Sequence, residues 1–269
     1  TGRHNLGACG TSTAGLAFSG NPSQKTNSEE FDGSSWTEGP DVNTGRTGMG
    51  ACGTQTAGLC MAGEAGGATA NSEEYNGTSW TEGNNVNVAR SGLSASGIQT
   101  SAILYCGGPS PTPARTHTET YDGTSWTTSP ASVGNARWNA FGAGATASSA
   151  LVAGGEPGFQ SITEEFSNSF QVVTAGAWAS GNSMNTGRAQ GAGCGTQTAA
   201  LAISGRRSGS SPDADIANVE SYNGTSWTEG PDVNQPAYNR GAAGPSTAAV
   251  VVGGNSDVGG TENVNKTEE

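Results

Sequence analysis

Basic side chains are scarce in this chain. Its 269 residues include 11 lysines and arginines against 23 aspartates and glutamates, which gives a formal net charge of −12. The only lysines are Lys25 and Lys266. Proteins that bind nucleic acid need a basic surface to contact phosphate groups, so we expect no nucleic-acid partner.

Long apolar runs and metal-ligand patterns are also missing. No stretch of about 18 apolar residues is present, so the sequence predicts no membrane insertion. The only histidines are His4 and His117, and no CxxC or Cys/His spacing suggests a metal. A Ser-His-Asp site would have to use one of these two histidines, and nothing singles out a serine. We therefore expect no catalytic residues, no metal and no cofactor, and we predict that the protein is not an enzyme.

One phrase recurs along the chain. It consists of an aromatic residue, Asp-Gly or Asn-Gly, two small hydroxyl residues and a Trp. Complete copies lie at 31–36, 75–80, 121–126 and 222–227, and a degenerate copy with an insertion runs from Phe166 to Trp178. The apolar content of 32% would by itself suggest disorder, but a repeat of this kind overrides it.

An arginine follows each copy of the phrase. Arg3 and Arg46 are 43 residues apart, and Arg188 and Arg240 are 52 residues apart. The full series is Arg3, Arg46, Arg90, Arg137, Arg188 and Arg240. These positions divide a single domain, 1–269, into units 4–46, 47–90, 91–137, 138–188 and 189–240 and a partial unit 241–269.

Each unit has the pattern of four short strands. In the second unit these are a small-residue stretch at 50–53, an apolar run at 59–61, a strand at 72–75 and a fourth that begins at Trp80. Short apolar runs bounded by glycine suit buried strands, and a two-residue Asn-Gly or Asp-Gly link is a strong hairpin signal. Four strands in a unit of this length predict a β-propeller blade.

The unit resembles the kelch repeat, in which a glycine pair closes the second strand, a Tyr lies on the third and a Trp on the fourth. The glycine pair is intact at 107–108, 154–155 and 253–254. The resemblance implies an all-β, six-bladed kelch-like propeller of four-stranded antiparallel blades. The last unit stops before its Trp strand, so we expect an incomplete sixth blade whose missing strand lies upstream of Thr1. A five-bladed ring is the alternative.

The repeat-end arginines have two competing interpretations. By resemblance to kelch propellers, they would ring one mouth of the central channel and bind a carboxylate, sulfate or phosphate group. Alternatively, each arginine pairs with a glutamate of the third strand and stabilises the blades. The glutamates in question are Glu29, Glu73, Glu119, Glu164 and Glu220.

Trp138 breaks the repeat, because it follows Arg137 where the other units have His4, Thr47, Ser91, Ala189 and Gly241. A Trp near a channel mouth would stack on a sugar or an aromatic group. The alternative is that it fills a wider fourth blade. We take Trp138, His4 and the six arginines as the candidate ligand-binding residues.

The lysine-poor repeats rich in Gly, Ser, Thr and Asn resemble those of kelch-like proteins of bacteriophages, particularly marine ones. This resemblance implies a non-enzymatic binding or structural module of a virion, such as a tail fibre, spike or capsid decoration. Its partners would be other virion proteins or a host-surface glycan or receptor, its location the virion or the extracellular space, and a homo-oligomer is possible. A secreted bacterial carbohydrate-binding lectin is the alternative, and a glycan-degrading enzyme is the least favoured interpretation.

Overall fold

The computed structural model describes residues 2–108, 115–167, 177–207, 214–257, 262–264 and 266–269. Within these ranges all regular structure is β-strand. The described part accordingly contains no helix that is long and apolar enough to cross a membrane. The insertion at 168–176 in the degenerate copy of the phrase lies outside the described residues.

Five four-stranded antiparallel sheets follow one another along the chain, one for each complete unit. Blade one contains β1 (Gly7–Thr11), β2 (Ala14–Phe18), β3 (Ser28–Phe31) and β4 (Trp36–Gly39). Blade two contains β5 (Gly50–Thr54), β6 (Ala57–Met61), β7 (Ser72–Tyr75) and β8 (Trp80–Glu82). Blade three contains β9 (Ser94–Ile98), β10 (Ser101–Tyr105), β11 (Thr118–Tyr121) and β12 (Trp126–Thr128). Blade four contains β13 (Phe141–Thr146), β14 (Ser149–Ala153), β15 (Thr163–Ser167) and β16 (Ala177–Gly181). Blade five contains β17 (Ala192–Thr196), β18 (Ala199–Arg207), β19 (Ala214–Tyr222) and β20 (Trp227–Glu229).

Blade six has three strands, β21 (Gly241–Ala243), β22 (Val250–Val252) and β25 (Thr267–Glu268). A small extra hairpin, β23 (Asn255–Ser256) with β24 (Glu262–Asn263), lies between β22 and β25 in the chain. No described residue supplies a fourth, Trp-bearing strand to this blade. The prediction of an incomplete sixth blade is therefore confirmed.

The first strands of the blades lie side by side around a central channel. Each contacts the first strand of the next blade, and β21 of blade six contacts β1 of blade one. Because the ring closes directly between blades six and one, the six-bladed prediction is confirmed and the five-bladed alternative is wrong. Small residues dominate these inner strands, as in the Gly50-Ala51-Cys52-Gly53 stretch, since the strands crowd together at the axis.

The repeated phrase forms the hairpin between the third and fourth strands. In blade one, Asp32 Oδ1 accepts hydrogen bonds from the backbone N–H groups of Ser34 and Ser35, both at 2.8 Å. These bonds lower the pKa of Asp32 to about 2, the one from Ser35 most strongly. Asn76 makes the same two contacts in blade two, so either an Asp or an Asn fixes the turn. We call the end of the ring that carries these turns the turn face.

The Trp of the phrase pairs with the aromatic residue of the third strand and packs on the preceding blade. Trp80 is opposite Tyr75 and lies against Leu16, Phe18 and Val42 of blade one. Trp126 and Trp227 are equally buried. Trp36 and Trp178 are only partly buried. The aromatic pairs are Phe31–Trp36, Tyr75–Trp80, Tyr121–Trp126, Phe166–Trp178 and Tyr222–Trp227.

A second contact between blades uses the aromatic residue of the third strand. The Tyr75 hydroxyl donates to Glu30 of blade one at 2.6 Å, and Tyr121 and Tyr222 donate to the corresponding carboxylates of their own preceding blades. Blade four has Phe166 at this position, and the facing residue of blade three is Thr120 in place of a glutamate. The hydroxyl and its carboxylate partner are therefore replaced together.

Truncation of Trp80 to alanine should lower the free energy of unfolding by about 3–5 kcal/mol, because it removes a buried aromatic from between two blades. Chemical denaturation monitored by circular dichroism measures this loss. Trp36→Ala is the matched control and should cost less, because Trp36 is only partly buried. A loss under about 1 kcal/mol for Trp80→Ala would contradict the packing described here.

Candidate functional site: the channel mouth

Six residues encircle the channel at the end opposite the turn face, and we call them the mouth ring. Each lies just before the first strand of its blade, and its backbone N–H donates to the carbonyl of the mouth-ring residue in the preceding blade at 2.7–3.3 Å. The cycle closes because Asn5 N–H donates to Asn239 O at 2.9 Å. The members are Asn5, Gly48, Gly92, Asn139, Gln190 and Asn239.

The mouth ring requires a left-handed backbone at every member. The φ angles of Asn5 and Asn139 are 51° and 50°, and those of Gly48 and Gly92 are 57° and 60°. Gly and Asn tolerate this region best, which explains their choice at five of the six positions. Gln190 at φ 58° is the exception. This ring was not predicted from the sequence. The pattern that could have indicated it is a Gly or Asn two residues after most of the arginines.

The mouth ring also corrects the repeat register of the sixth unit. In the other units the ring residue lies two positions after the arginine, so the residue that corresponds to Arg188 is Ala237, not Arg240. The Ala237 carbonyl accepts from Gly205 N–H, as the Arg188 carbonyl accepts from Gly155 N–H. Tyr238, rather than Gly241, is then the counterpart of Trp138. The arginine series that divided the sequence into units therefore does not mark equivalent positions at the sixth unit.

The repeat-end arginines lie in the protein interior. Arg46 is fully buried and forms an ion pair with Glu73, while its Nη1 donates to Asn71 O at 2.7 Å. The other pairs are Arg3–Glu29 at 2.9 Å, Arg90–Glu119 at 3.0 Å, Arg137–Glu164 at 2.6 Å and Arg188–Glu220. These are the arginine–glutamate pairs of the second interpretation, and each of these guanidinium groups is committed to a carboxylate.

In blades two to five the glutamate of the pair also holds the crossover, the segment that leads from the fourth strand of the preceding blade to the first strand of its own blade. Glu73 accepts the backbone N–H groups of Asn43 at 2.7 Å and Thr44 at 3.2 Å, and Glu220 accepts those of Asn185 and Thr186 in the same way. The donors come from a loop without strand partners, so the carboxylate satisfies partly buried backbone groups that would otherwise be unpaired.

Burial lowers the pKa of the Arg90 guanidinium below its ordinary value, and the nearby Glu119 carboxylate partly restores it. Arg3 and Arg188 are shifted in the same direction for the same reason. An arginine remains charged even so, because the guanidinium group is not deprotonated in proteins. Each buried guanidinium therefore depends on its glutamate.

Arg240 reaches the corresponding carboxylate of blade six from a different backbone position. Its Nη1 lies 3.1 Å from Glu268 Oε1, and Glu268 occupies the same register position as Glu29 and Glu73. Burial raises the pKa of Glu268, but hydrogen bonds from Asn234 N–H and Arg240 outweigh this, so the net shift is downward. The arginine of the sixth unit thus lies three positions later in the chain than its counterparts, and the ion pair with the third-strand glutamate is kept.

We call the residues that immediately precede the mouth ring the rim: His4, Thr47, Ser91, Trp138, Ala189 and Tyr238. Four of the six rim residues are buried, whereas His4 and Trp138 are partly exposed. The ring order places these two in blades one and four, on opposite sides of the channel. His4 Nδ1 lies 2.8 Å from Asn263 Oδ1. The two sequence-predicted residues are therefore the accessible ones of the rim.

The mouth ring is chemically asymmetric. Blades four, five, six and one present amide side chains in one continuous arc, and blades two and three present glycine. A Cβ atom added at Gly92 would lie 3.4 Å from Trp138 Cβ and 3.0 Å from Asn139 Oδ1, so Trp138 stands at one edge of this gap. The mouth encloses a cavity of about 90 Å³.

The side chains of the mouth ring are amides that can form hydrogen bonds and carry no formal charge, and the charged residue that lines the cavity with them is Arg240. Asn139 Nδ2 donates to Glu156 Oε1 at 3.3 Å, which holds one amide of the arc in place. At the rim residue of blade six, Arg206 Cζ lies 4.2 Å from the centroid of the Tyr238 ring. Arg206 also forms ion pairs with Asp215 and Asp257. Among the described residues, no group of three or more His, Cys, Asp or Glu side chains could hold a metal ion.

Comparisons with known proteins establish the fold alone. No protein-family model matches the chain, and no curated protein matches its sequence. Among the solved structures that match is one entitled "Structure of YjhT", with a TM-score of 0.78 at 12% sequence identity. The match covers 99% of this chain and 94% of that one. At this identity the similarity shows a shared propeller architecture.

Replacement of Arg90 by methionine should lower the free energy of unfolding by about 3–5 kcal/mol, because it leaves the Glu119 carboxylate buried without its partner. Adding Glu119→Gln should recover part of the loss, since the amide oxygen can still accept from Asn87 N–H. Denaturation curves of the single and double variants measure both effects. A stable Arg90→Met protein that has lost affinity for sulfate would support the anion-binding interpretation instead.

The five cysteines should not react with Ellman's reagent at pH 8 in the folded protein. All are buried free thiols, and burial raises the pKa of Cys106 to about 11 and those of Cys9, Cys60 and Cys194 to about 12. The reactive thiolate is therefore absent at this pH. Unfolding in guanidinium should expose all five thiols, and rapid labelling of the native protein would contradict the described burial.

Proposed function

We propose that the protein is a non-enzymatic binding module that holds a neutral glycan at the mouth of its channel, between Trp138 and His4. The observation that carries the proposal is the break in repeat symmetry at this position. In the rim, only these two side chains are partly exposed, and the adjoining mouth ring carries amides in blades four, five, six and one and glycine in blades two and three. A binding site on a repeat scaffold is expected where the repeats differ.

The chemistry of the mouth suits a sugar. The Trp138 indole offers an apolar face on which a pyranose ring can stack, and Asn and Gln amides both donate and accept hydrogen bonds with hydroxyl groups. A neutral ligand is favoured over an acidic one, because the guanidinium groups are committed to buried glutamates and the chain carries a net charge of −12. This departs from the anionic ligand that the arginine series suggested.

We further propose that the module acts on the surface of a virion or in the extracellular space, as a tail fibre, spike or capsid decoration that contacts a host glycan. The support for this setting is the resemblance of the lysine-poor repeats to those of kelch-like phage proteins. A secreted bacterial lectin would use the same binding chemistry. Co-purification of the protein with phage particles in a fixed copy number distinguishes the two.

Truncation of Trp138 to alanine should weaken glycan binding by about tenfold or more while leaving the melting temperature nearly unchanged. A glycan array with neutral, sulfated and sialylated members identifies the probe, and titration calorimetry on the best neutral glycan measures the loss. Ile98→Ala is the control, because Ile98 is an exposed apolar residue on the turn face. Asn139→Ala should weaken binding as well.

Two results would contradict the proposal. One is full affinity in both Trp138→Ala and Asn139→Ala, which would move the site away from the mouth. The other is a consistent preference for sulfated or sialylated glycans, because the guanidinium groups nearest the mouth, Arg206 and Arg240, already form ion pairs with carboxylates.

A further inference from the structure

Each rim residue faces a partner that lies at or just beyond the end of the second strand of its own blade. The two residues form an isolated antiparallel bridge. Side chains that stand opposite each other in an antiparallel pair lie on the same side, with Cβ atoms about 5 Å apart. These partners therefore supply a second layer of side chains to the mouth. In ring order from blade one they are Asn21, Glu64, Gly108, Glu156, Arg206 and Asn255.

The bridge of blade four places a carboxylate beside the exposed indole. Both members are partly exposed in only two of the six pairs, His4–Asn21 and Trp138–Glu156. Trp138 N–H donates to Glu156 O at 3.1 Å, and Glu156 N–H donates to Trp138 O at 2.9 Å. These two bonds fix the backbones relative to each other, so the indole and the carboxylate flank one patch of the mouth.

The Glu156 carboxylate has acceptor capacity to spare. Among the described residues it forms no ion pair, and its one hydrogen bond comes from Asn139 Nδ2 at 3.3 Å. An ionised carboxylate accepts at about four positions, so most of them are open to a ligand. The nearby carboxylates of blades five and six differ, because Asp215 and Asp257 are both paired with Arg206.

The same hydrogen bond sets the polarity of the Asn139 amide. Its Nδ2 is turned toward Glu156, and its Oδ1 lies on the side of the glycine gap, 3.0 Å from the position of a Cβ atom added at Gly92. The polar side-chain atoms that these two residues offer beside Trp138 are therefore acceptors. A ligand that stacks on the indole must present hydrogen-bond donors to them.

We propose that Glu156 determines which sugars the mouth accepts, an inference that rests on the glycan-binding function proposed above. The carboxylate and Asn139 Oδ1 accept hydrogen bonds from two neighbouring hydroxyl groups of a pyranose that stacks on Trp138. The negative charge of Glu156 also repels a sugar that carries a carboxylate or a sulfate. The ligand class is a neutral glycan with an unsubstituted vicinal diol.

Blade two provides an internal control for this role. Glu64 faces Thr47 through the same pair of backbone hydrogen bonds, at 3.0 and 2.9 Å, and it is partly exposed like Glu156. Thr47 is buried and offers no aromatic face. Glu64 therefore has the charge and the backbone position of Glu156 without a stacking platform beside it.

The test uses matched pairs of trisaccharides, built from glucose, galactose or mannose and from the corresponding uronic acids. Titration calorimetry measures their affinities for the wild-type protein and for Glu156→Gln, which keeps the shape of the side chain and removes its charge. The wild-type protein should favour the neutral member of a bound pair by about tenfold or more. Glu156→Gln should bind that member more weakly and narrow the preference, whereas Glu64→Gln should change neither.

Charge reversal gives a result that a loss of folding cannot imitate. Glu156→Lys should gain affinity for the uronic acids, because an ammonium group then faces their carboxylates. Added sodium chloride should reduce the preference of the wild-type protein for neutral sugars, since salt screens the repulsion, and should have little effect on Glu156→Gln. The melting temperatures of all the variants should stay close to that of the wild type.

Two results would overturn this inference and leave the proposed function intact. One is Trp138-dependent binding with the same ratio of neutral to acidic affinity in the wild type and in Glu156→Gln. The other is an equal change of that ratio in Glu64→Gln, which would assign the discrimination to the overall charge of the chain. If no neutral glycan bound the wild-type protein, or if Trp138→Ala kept full affinity, the proposed function would fail and this inference with it.

Discussion

One third-strand carboxylate in each blade, buried in blades two to five, is central to the organisation of this propeller. It forms an ion pair with a buried arginine in blades one to five, and in blades two to six it accepts N–H groups of the incoming crossover. The crossover has no strand partner of its own, so without the carboxylate its donors would be buried and unsatisfied. A buried ion pair is not by itself strong evidence of stability, but losing one partner of it is costly. That asymmetry explains why blade six regains the pair through Arg240.

Anchoring the crossover also positions the two residues after the arginine. The first of them lies in the rim, and the second turns into the left-handed region where its N–H reaches the preceding blade. The ion pair, the mouth ring and the start of the inner strand are consecutive features of one short segment. The exposed side chains of the mouth therefore rest on a rigid base, which is the arrangement expected of a recognition surface on a repeat scaffold.

The sequence predicted the features that repeat and missed those that depend on three-dimensional closure. The Asx-Gly turn and the Trp recur at short range, so the blade, its strands and the six-blade count could be read directly. The glutamate partners of the arginines were also named beforehand, as one of two alternatives. The mouth ring was not predicted, because its bonds join residues such as Asn5 and Asn239 from opposite ends of the chain. Arg240 misled the register because a chemically equivalent side chain arrives from a backbone position three residues away.

The cyclic character of the mouth ring has an electrostatic consequence. Each peptide group carries a dipole, and in a helix these dipoles align and leave a partial charge at each end. In the mouth ring the six N–H groups all point the same way around a closed circle, so the in-plane components of their dipoles cancel. The hydrogen bonds of the mouth ring therefore add no net in-plane dipole at the entrance of the channel, and the differences between its sides come from its few unlike side chains.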